Sequence, residues 1–314
     1  MSRIELNRIN NPACIHCNNK DERAKVTEKD ICNRVKSIED NLPIRCVGEW
    51  AEEKIYLLRQ YFGIFSGGMK KKWDKINYIE ICSGPGRCIN RKSGSEFDGT
   101  AIAILKHDNF NHINKALFFD YDNIVIETLN QRIKKMGLYN KACAIRGDYN
   151  NPSTICDSLK ILDSANSLNL VFIDPTDCSL PFSLLKSIAI VLSKFDLIIN
   201  VATGTDFNRN IPMAFADSLR AEKYNNFLGD SDFFTDSNNQ MYYRNKNYTK
   251  LREMFRKTYE NSLKQIGFKY FDYTPVKNYY DILFATSNSK GIEFWKKAAK
   301  TIDASGQRTL DFEL

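Results

Sequence analysis

Residues 78–87 read Tyr-Ile-Glu-Ile-Cys-Ser-Gly-Pro-Gly-Arg, a short apolar run that delivers an acid and passes directly into a Gly-X-Gly turn. A strand followed by an abrupt turn lacking side chains at Gly84 and Gly86 is how the first unit of a doubly wound α/β sheet presents main-chain N–H groups at its carboxyl edge. Such turns also serve plain strand-to-helix connections. The other strands have to decide between a scaffold turn and a ligand cradle.

Short strand-like runs alternate with longer helical ones after the turn, the signature of parallel βαβ units. The pattern predicts strands over 77–82, 116–120, 142–146, 170–174 and 197–201, with helices over 98–106, 123–135, 152–162 and 181–193 between them. A helical stretch over 248–265 leads through Gly267 into apolar runs at 268–275 and 281–286, close enough to pair antiparallel. Five parallel strands closed by an antiparallel hairpin predict an α/β, Rossmann-like sheet of the class I methyltransferase type. A dehydrogenase fits less well, because its glycine fingerprint wants a third glycine where Ile89 stands.

Upstream, Trp50, Ile55, Leu58, Tyr61, Phe62 and Phe65 recur at helical spacing from Glu49 until Gly67-Gly68, which reads as the stop. Residues 1–48 are polar and form an appendage to a domain spanning 49–314. Within that domain 203–247 has weak periodicity and reads as an insertion at the active edge, where recognition loops sit. Four of the nine cysteines, Cys14, Cys17, Cys32 and Cys46, fall in the appendage. They can supply thiolates for a structural zinc that ties together a segment too poor in apolar residues to build a core. Unliganded thiols or an extended arm are the alternatives. Cys82, Cys88, Cys143, Cys156 and Cys178 lie in or beside predicted core elements and read as buried small hydrophobes.

In a doubly wound sheet the ligand contacts come from successive strand ends. Glu80 closes the first strand ahead of Gly84 and Gly86; Asp120 closes the second, where a carboxylate accepts from both hydroxyls of a ribose. Asp148 follows the third and suits an adenine amino group. This ordered set points to S-adenosylmethionine. Each acid alone has the plainer reading of a helix cap. The fourth strand ends in Asp174-Pro175-Thr176-Asp177. Methyltransferases acting on amino groups carry Asp/Asn-Pro-Pro-aromatic there, which would make Asp174, with a nearby main-chain carbonyl at Pro175, the group that aligns the acceptor nitrogen. Thr176 and Asp177 depart from that pattern, and the aromatic that stacks on a flipped base is missing.

With 314 residues and 43% hydrophobic content the chain supports a substantial core, and it has no run near the roughly 20 apolar residues that cross a bilayer. No secretory apolar region follows Met1, so a cytoplasmic location is expected. The net charge of +7 is compatible with an anionic partner such as nucleic acid. Arg244, Lys246, Lys250, Arg252, Arg256 and Lys257 are interleaved with Tyr242, Tyr243 and Tyr248, a mixture that suits stacking and phosphate contact, or a solvated helix face. Only three histidines occur, leaving little material for a His-centred triad; His107 and His112 flank a loop and read as surface residues. Asp174, Asp177 and Asp206 are acids of the type that hold magnesium in nucleases, without convincing spacing.

Several segments together resemble the three-Cys-motif partner (TcmP) family: Leu42-Pro43-Ile44-Arg45-Cys46-Val47-Gly48-Glu49-Trp50-Ala51-Glu52-Glu53-Lys54, Gly84-Pro85-Gly86-Arg87, Phe119-Asp120-Tyr121-Asp122, Phe172-Ile173-Asp174-Pro175, Asp196-Leu197-Ile198-Ile199-Asn200, Tyr280-Asp281-Ile282-Leu283-Phe284-Ala285 and Gly306-Gln307. The resemblance covers residues 42–310 and implies a methyltransferase-like fold working with a separate radical-S-adenosylmethionine-like protein that bears a three-cysteine motif. Related sequences carry Asp-Pro-Phe-Gly where this one has Asp174-Pro175-Thr176-Asp177, and Thr203-Gly204-Thr205 replaces a more apolar stretch. The expected function is an S-adenosylmethionine-dependent methyltransferase acting on nucleic acid or a nucleobase-like amino group. The alternative is a catalytically silent module of the same fold that engages nucleic acid or a partner protein.

Overall fold

Seven apolar runs assemble into one sheet: β1 (Lys75–Ile81), β2 (Lys115–Asp120), β3 (Ala142–Arg146), β4 (Ser167–Ile173), β5 (Phe195–Val201), β6 (Tyr270–Val276) and β7 (Tyr280–Thr286). In the computed structural model residues 35–300 are described, apart from positions 49, 91, 92 and 278, together with the backbone of a short strand pair, Thr27–Glu28 and Ile31–Cys32. The strand order is β6-β7-β5-β4-β1-β2-β3, parallel except for β7, which runs antiparallel to both β5 and β6. This is the class I methyltransferase sheet. The expected five parallel strands and closing hairpin are present, with boundaries shifted by at most a few residues.

Helices cover both faces, so the central strands are buried throughout and read as continuous apolar runs. Period-two alternation then divides them. Ile79, Ile81, Leu117, Phe119, Val171 and Ile173 pack on one side with α4 (Ser153–Leu159), α5 (Phe182–Val191) and α9 (Tyr248–Gln265). Tyr78, Phe118, Leu170 and Phe172 face the other side with α1 (Trp50–Met69), α2 (Thr100–Leu105), α3 (Asn123–Lys135) and α10 (Ser289–Ala299).

α1 runs through Gly67-Gly68 to Met69 instead of stopping there. A Cβ on Gly67 would lie 3.3 Å from Asn109 Nδ2, and one on Gly68 3.4 Å from the Phe294 ring, so the pair permits close packing rather than a stop. His107 is half-buried, with its ring edge-on to Phe62 at 5.2 Å and Nδ1 accepting from the Asn109 amide at 3.1 Å, which corrects its reading as a surface residue.

The stretch over 203–247 is helical: α6 (Asn208–Ala216), α7 (Ser218–Leu228) and α8 (Ser237–Arg244) follow a π-turn at Thr203–Phe207. Its periodicity is faint because Pro212, Asp217 and Gly229 cut it into short pieces. Phe207, Ile211, Tyr224, Phe227 and Phe234 nonetheless enter the core.

A second, three-stranded sheet, which the sequence did not announce, pairs Arg45–Val47 in parallel with Arg87–Asn90, which pairs antiparallel with Glu96–Asp98. Segment 35–47 is thereby laid beside the glycine turn. Arg132 on α3 fixes it, its guanidinium donating to Asp40 at 2.8 and 3.0 Å, to the Pro43 carbonyl at 2.9 Å and to the Pro85 carbonyl at 2.5 Å. Among the described residues no helix is long and apolar enough to cross a membrane.

Candidate active site

In the sheet order the chain turns outward in opposite directions from β1 and β4, so the crevice beyond their carboxyl ends is the topological switch point. The glycine turn lies there. Cys82 (φ 64°), Gly84 (φ 64°) and Gly86 (φ 90°) all occupy the left-handed region, folding the backbone back on itself. Cys82 is the non-glycine among them, a strained conformation that its identity as a half-buried thiol did not advertise in the sequence. A Cβ on Gly86 would come within 2.7 Å of Ile102 and 2.9 Å of Leu129, so only glycine lets the turn settle on α2 and α3.

Asp120 closes the turn from β2: Oδ2 accepts from the Gly84 amide at 3.1 Å and Oδ1 from the Asp122 amide at 3.3 Å. Asp122 in turn caps α3 by accepting from Ile124 N. Glu80 is fully buried, accepting from the Tyr78 hydroxyl at 2.9 Å and from the Thr100 hydroxyl. Burial pushes its carboxyl up to about 8, against the opposing effect of those two hydroxyls. Asp148 is exposed beyond β3 and accepts from the Asn150 amide at 2.8 Å. Next to it the Gly147 amide donates to the Asp120 carbonyl at 2.9 Å. The fold thus brings Glu80, Gly84, Gly86 and Asp120 around one turn, with Asp148 one strand farther along the same edge.

Asp174 follows β4, its amide donating to the Ile81 carbonyl at 3.0 Å beside the turn. Both of its carboxylate oxygens have partners: Lys54 from α1 binds Oδ2, and Asn200 from β5 donates Nδ2 to Oδ1 at 3.0 Å. Asn200 also reaches the Pro175 carbonyl at 3.4 Å, while its own Oδ1 is buried and has no partner. One helical turn before Lys54, the Trp50 ring meets that of Tyr279 from the β6–β7 turn at 4.5 Å. Gly48 makes room for it, since a Cβ there would fall 2.0 Å from the Trp50 ring. Sequence reasoning did not bring Lys54, Asn200, Trp50 and Tyr279 to this edge.

Arg45 was also missed as a site residue, although it belongs to the segment 42–54 that carries the resemblance. Its guanidinium lies 3.8 Å from where a Cβ of Gly84 would be, and its Nε is buried with no hydrogen-bond partner. Ser83 Oγ, within the turn, is likewise buried without a partner.

Asp177 and Asp206 do come together, but around the Lys223 ammonium, at 2.8 and 2.7 Å. A cation from α7 therefore stands between the acids on which a magnesium site would depend. Asp206 further accepts from the Cys178 amide at 2.8 Å and the Tyr224 hydroxyl at 2.9 Å. Burial alone would raise its carboxyl, yet Lys223 and these donors outweigh it and hold it below the usual carboxylate range. Among the described residues no group of three or more His, Cys, Asp or Glu side chains is arranged to hold a metal. Of the four zinc candidates, Cys14, Cys17 and the Cys32 side chain lie outside the described residues; Cys46 packs against Val35, Ile44 and Ile89.

No family model and no curated protein matches the chain. Solved structures similar in fold include a candidate S-adenosyl-L-methionine-dependent methyltransferase from Methanococcus maripaludis, 14% identical over 76% of this chain and 91% of that one, with a TM-score of 0.35. The DszA carbon methyltransferase is 12% identical over 76% of this chain and 55% of its own, at 0.44. A methyltransferase from Clostridium acetobutylicum is 13% identical over 47% and 50%, at 0.29. The chain thus spans about half the length of the latter two. The fold assignment rests on strand order and register.

Proposed function

We propose that the chain is an S-adenosylmethionine-dependent methyltransferase whose acceptor is the amino group of a nucleobase, free or in nucleic acid. The observation that carries this reading is the Asp120–Gly84 contact at the switch point, which joins the acid of the second strand to the glycine turn of the first. The residues present fit the cofactor. At the turn, the buried, unpartnered Arg45 Nε and Ser83 Oγ offer donors to its amino-acid end. Asp120 keeps lone pairs for ribose hydroxyls beyond those given to the Gly84 and Asp122 amides, since each carboxylate oxygen accepts more than once. Asp148 would meet the adenine amino group.

When bound, the cofactor supplies a methyl on a sulfonium, which passes to a nitrogen lone pair as the carbon–sulfur electron pair stays on sulfur and the nitrogen gives up a proton to water. The chain's part is positioning: Lys54, Asp174 and Asn200 form a hydrogen-bonded row beside the turn, with the Pro175 carbonyl, and would set where an acceptor approaches. The sequence resemblance adds a three-Cys-motif radical-S-adenosylmethionine-like partner to the proposal.

Calorimetric titration with S-adenosylhomocysteine tests the reading. Wild type is expected to bind and Asp120→Ala to lose at least tenfold; equal affinity in both, or none in either, overturns it. The silent-module alternative is favoured by one observation, the engagement of both Asp174 oxygens. Label from the methyl group, followed into RNA, DNA and protein, separates the two, because a module binds the cofactor without consuming it.

A further inference from the structure

We infer that the residue which reads the acceptor is Asn200, through its side-chain carbonyl, and that Trp50 and Tyr279 form the aromatic wall of a pocket for a planar ring carrying an N–H donor. The inference rests on the methyltransferase reading and names the acceptor side of the same edge.

Asn200 is only 2% exposed. Its Nδ2 donates to Asp174 Oδ1 at 3.0 Å and faces the Pro175 carbonyl at 3.4 Å, so a flip of the amide would set oxygen against two acceptors. Its Oδ1 therefore has a fixed direction, and it has no partner. A buried carbonyl of this kind costs free energy unless a donor meets it. A ligand N–H is such a donor, whereas Asp174, with Lys54 on one oxygen and Asn200 on the other, serves as the positioning residue that orients the Asn200 amide.

The segment Asp174-Pro175-Thr176-Asp177 carries no aromatic, and the proposed aromatic surface comes from α1 and the β6–β7 turn. Trp50 lies on α1 one turn from Lys54, the partner of Asp174, and its ring and that of Tyr279 are 4.5 Å apart, both partly exposed. The Tyr279 carbonyl accepts from the Gly204 and Thr205 amides at 2.9 and 3.1 Å, which ties the backbone of that residue to the π-turn after β5. Thr205 Oγ1 is buried there without a partner, a second polar group for a ring edge. Aromatic surface beside convergent hydrogen-bonding groups is what recognises an unstacked base.

The test uses the full chain saturated with S-adenosylhomocysteine, titrated calorimetrically with adenosine, cytidine and N6,N6-dimethyladenosine, the last lacking the N–H donor. Wild type is expected to bind adenosine and cytidine about tenfold more tightly than the dimethyl compound. Asn200→Ala should erase that difference while keeping wild-type affinity for S-adenosylhomocysteine, which shows that it is folded. Tyr279→Ala should weaken all three nucleosides alike. Absence of nucleoside binding in the loaded wild type, or persistence of the discrimination in Asn200→Ala, overturns the acceptor assignment. Failure of S-adenosylhomocysteine itself to bind overturns the reading beneath it.

Discussion

Arg132 donates to the Pro85 carbonyl at 2.5 Å, so the middle of the glycine turn is held by a side chain from the helix that follows the next strand. The same guanidinium grips Asp40 and the Pro43 carbonyl, and at 4% exposure it does so out of solvent. Turn and N-terminal segment therefore share one anchor. Burial pushes the Asp40 carboxyl up, but the Arg132 pairing and the Leu42 amide bring it below its usual value. Arg132→Met leaves Asp40 with the Leu42 amide but no cation, and the Pro43 and Pro85 carbonyls without this donor. It is expected to cost about 3 kcal/mol in urea unfolding and to loosen residues 35–47, read as new proteolytic cleavage there. Unchanged stability with unchanged cleavage would contradict the shared anchor.

Gly84 and Gly86 have similar backbone signs but different surroundings. An alanine at Gly84 meets only the Arg45 side chain at 3.8 Å, so it should cost about 1–2 kcal/mol, the left-handed strain of an L-residue. At Gly86 the added methyl collides with Ile102 and Leu129 at 2.7 and 2.9 Å. Overpacking then adds about 1–3 kcal/mol more. Denaturation midpoints of the two alanine variants, compared in parallel, should rank Gly86→Ala below Gly84→Ala. The reverse order would mean that the turn does not rest on α2 and α3.

Glu80 makes stability fall with pH in a defined window. Its carboxyl titrates near 4.5 when unfolded and at about 8 when buried in the fold. A raised folded-state value means that the stabilisation is fully present below pH 4.5 and lost progressively as pH rises through about 8, because the unfolded chain ionises first. Glu80→Gln removes the titration while keeping hydrogen-bonding capacity toward Tyr78 and Thr100. The variant should melt higher than wild type at about pH 8, with the gap closing by about pH 5. A gap that widens toward acid would show the carboxyl ionised in the fold.

What the sequence could reveal was local. Strand runs, the hairpin and the helices over 123–135 and 248–265 were legible because each carries its own apolar period and its own stop or cap, such as Asp122 before α3 and Asn247 before α9. Strand-end acids were legible for the same reason. The Lys54–Asp174 pair joins residues 120 apart in sequence, and Asn200 comes from 26 residues beyond Asp174, with nothing local to announce either. The small sheet was hidden because its strands of three or four residues have too few positions to show a period. Cys82 was legible only as a thiol, whereas its consequence for the turn lies in a left-handed backbone angle that no side-chain pattern encodes.

Lys223 bridges Asp177 and Asp206, and removing it tests whether this cluster is a structural lock. Lys223→Met leaves the nearly buried Asp206 with only Cys178 N, Tyr224 and Asn210 for partners. Because Lys223 is itself about one-third exposed, the expected loss is about 2 kcal/mol, below that of a fully buried pair. The pH dependence follows from the depressed Asp206 carboxyl. Its stabilisation is present above the unfolded value of 3.8 and lost as pH falls through the lower folded value. Without Lys223, burial dominates and the carboxyl rises, so acid unfolding should begin at higher pH in the variant. Melting temperatures measured between about pH 3 and 7, where carboxylates titrate, check this. An acid limb identical to that of wild type would show that Lys223 does not control Asp206, and a marked rise in melting temperature on adding magnesium to the variant would show that the two acids can hold a metal once the ammonium is gone.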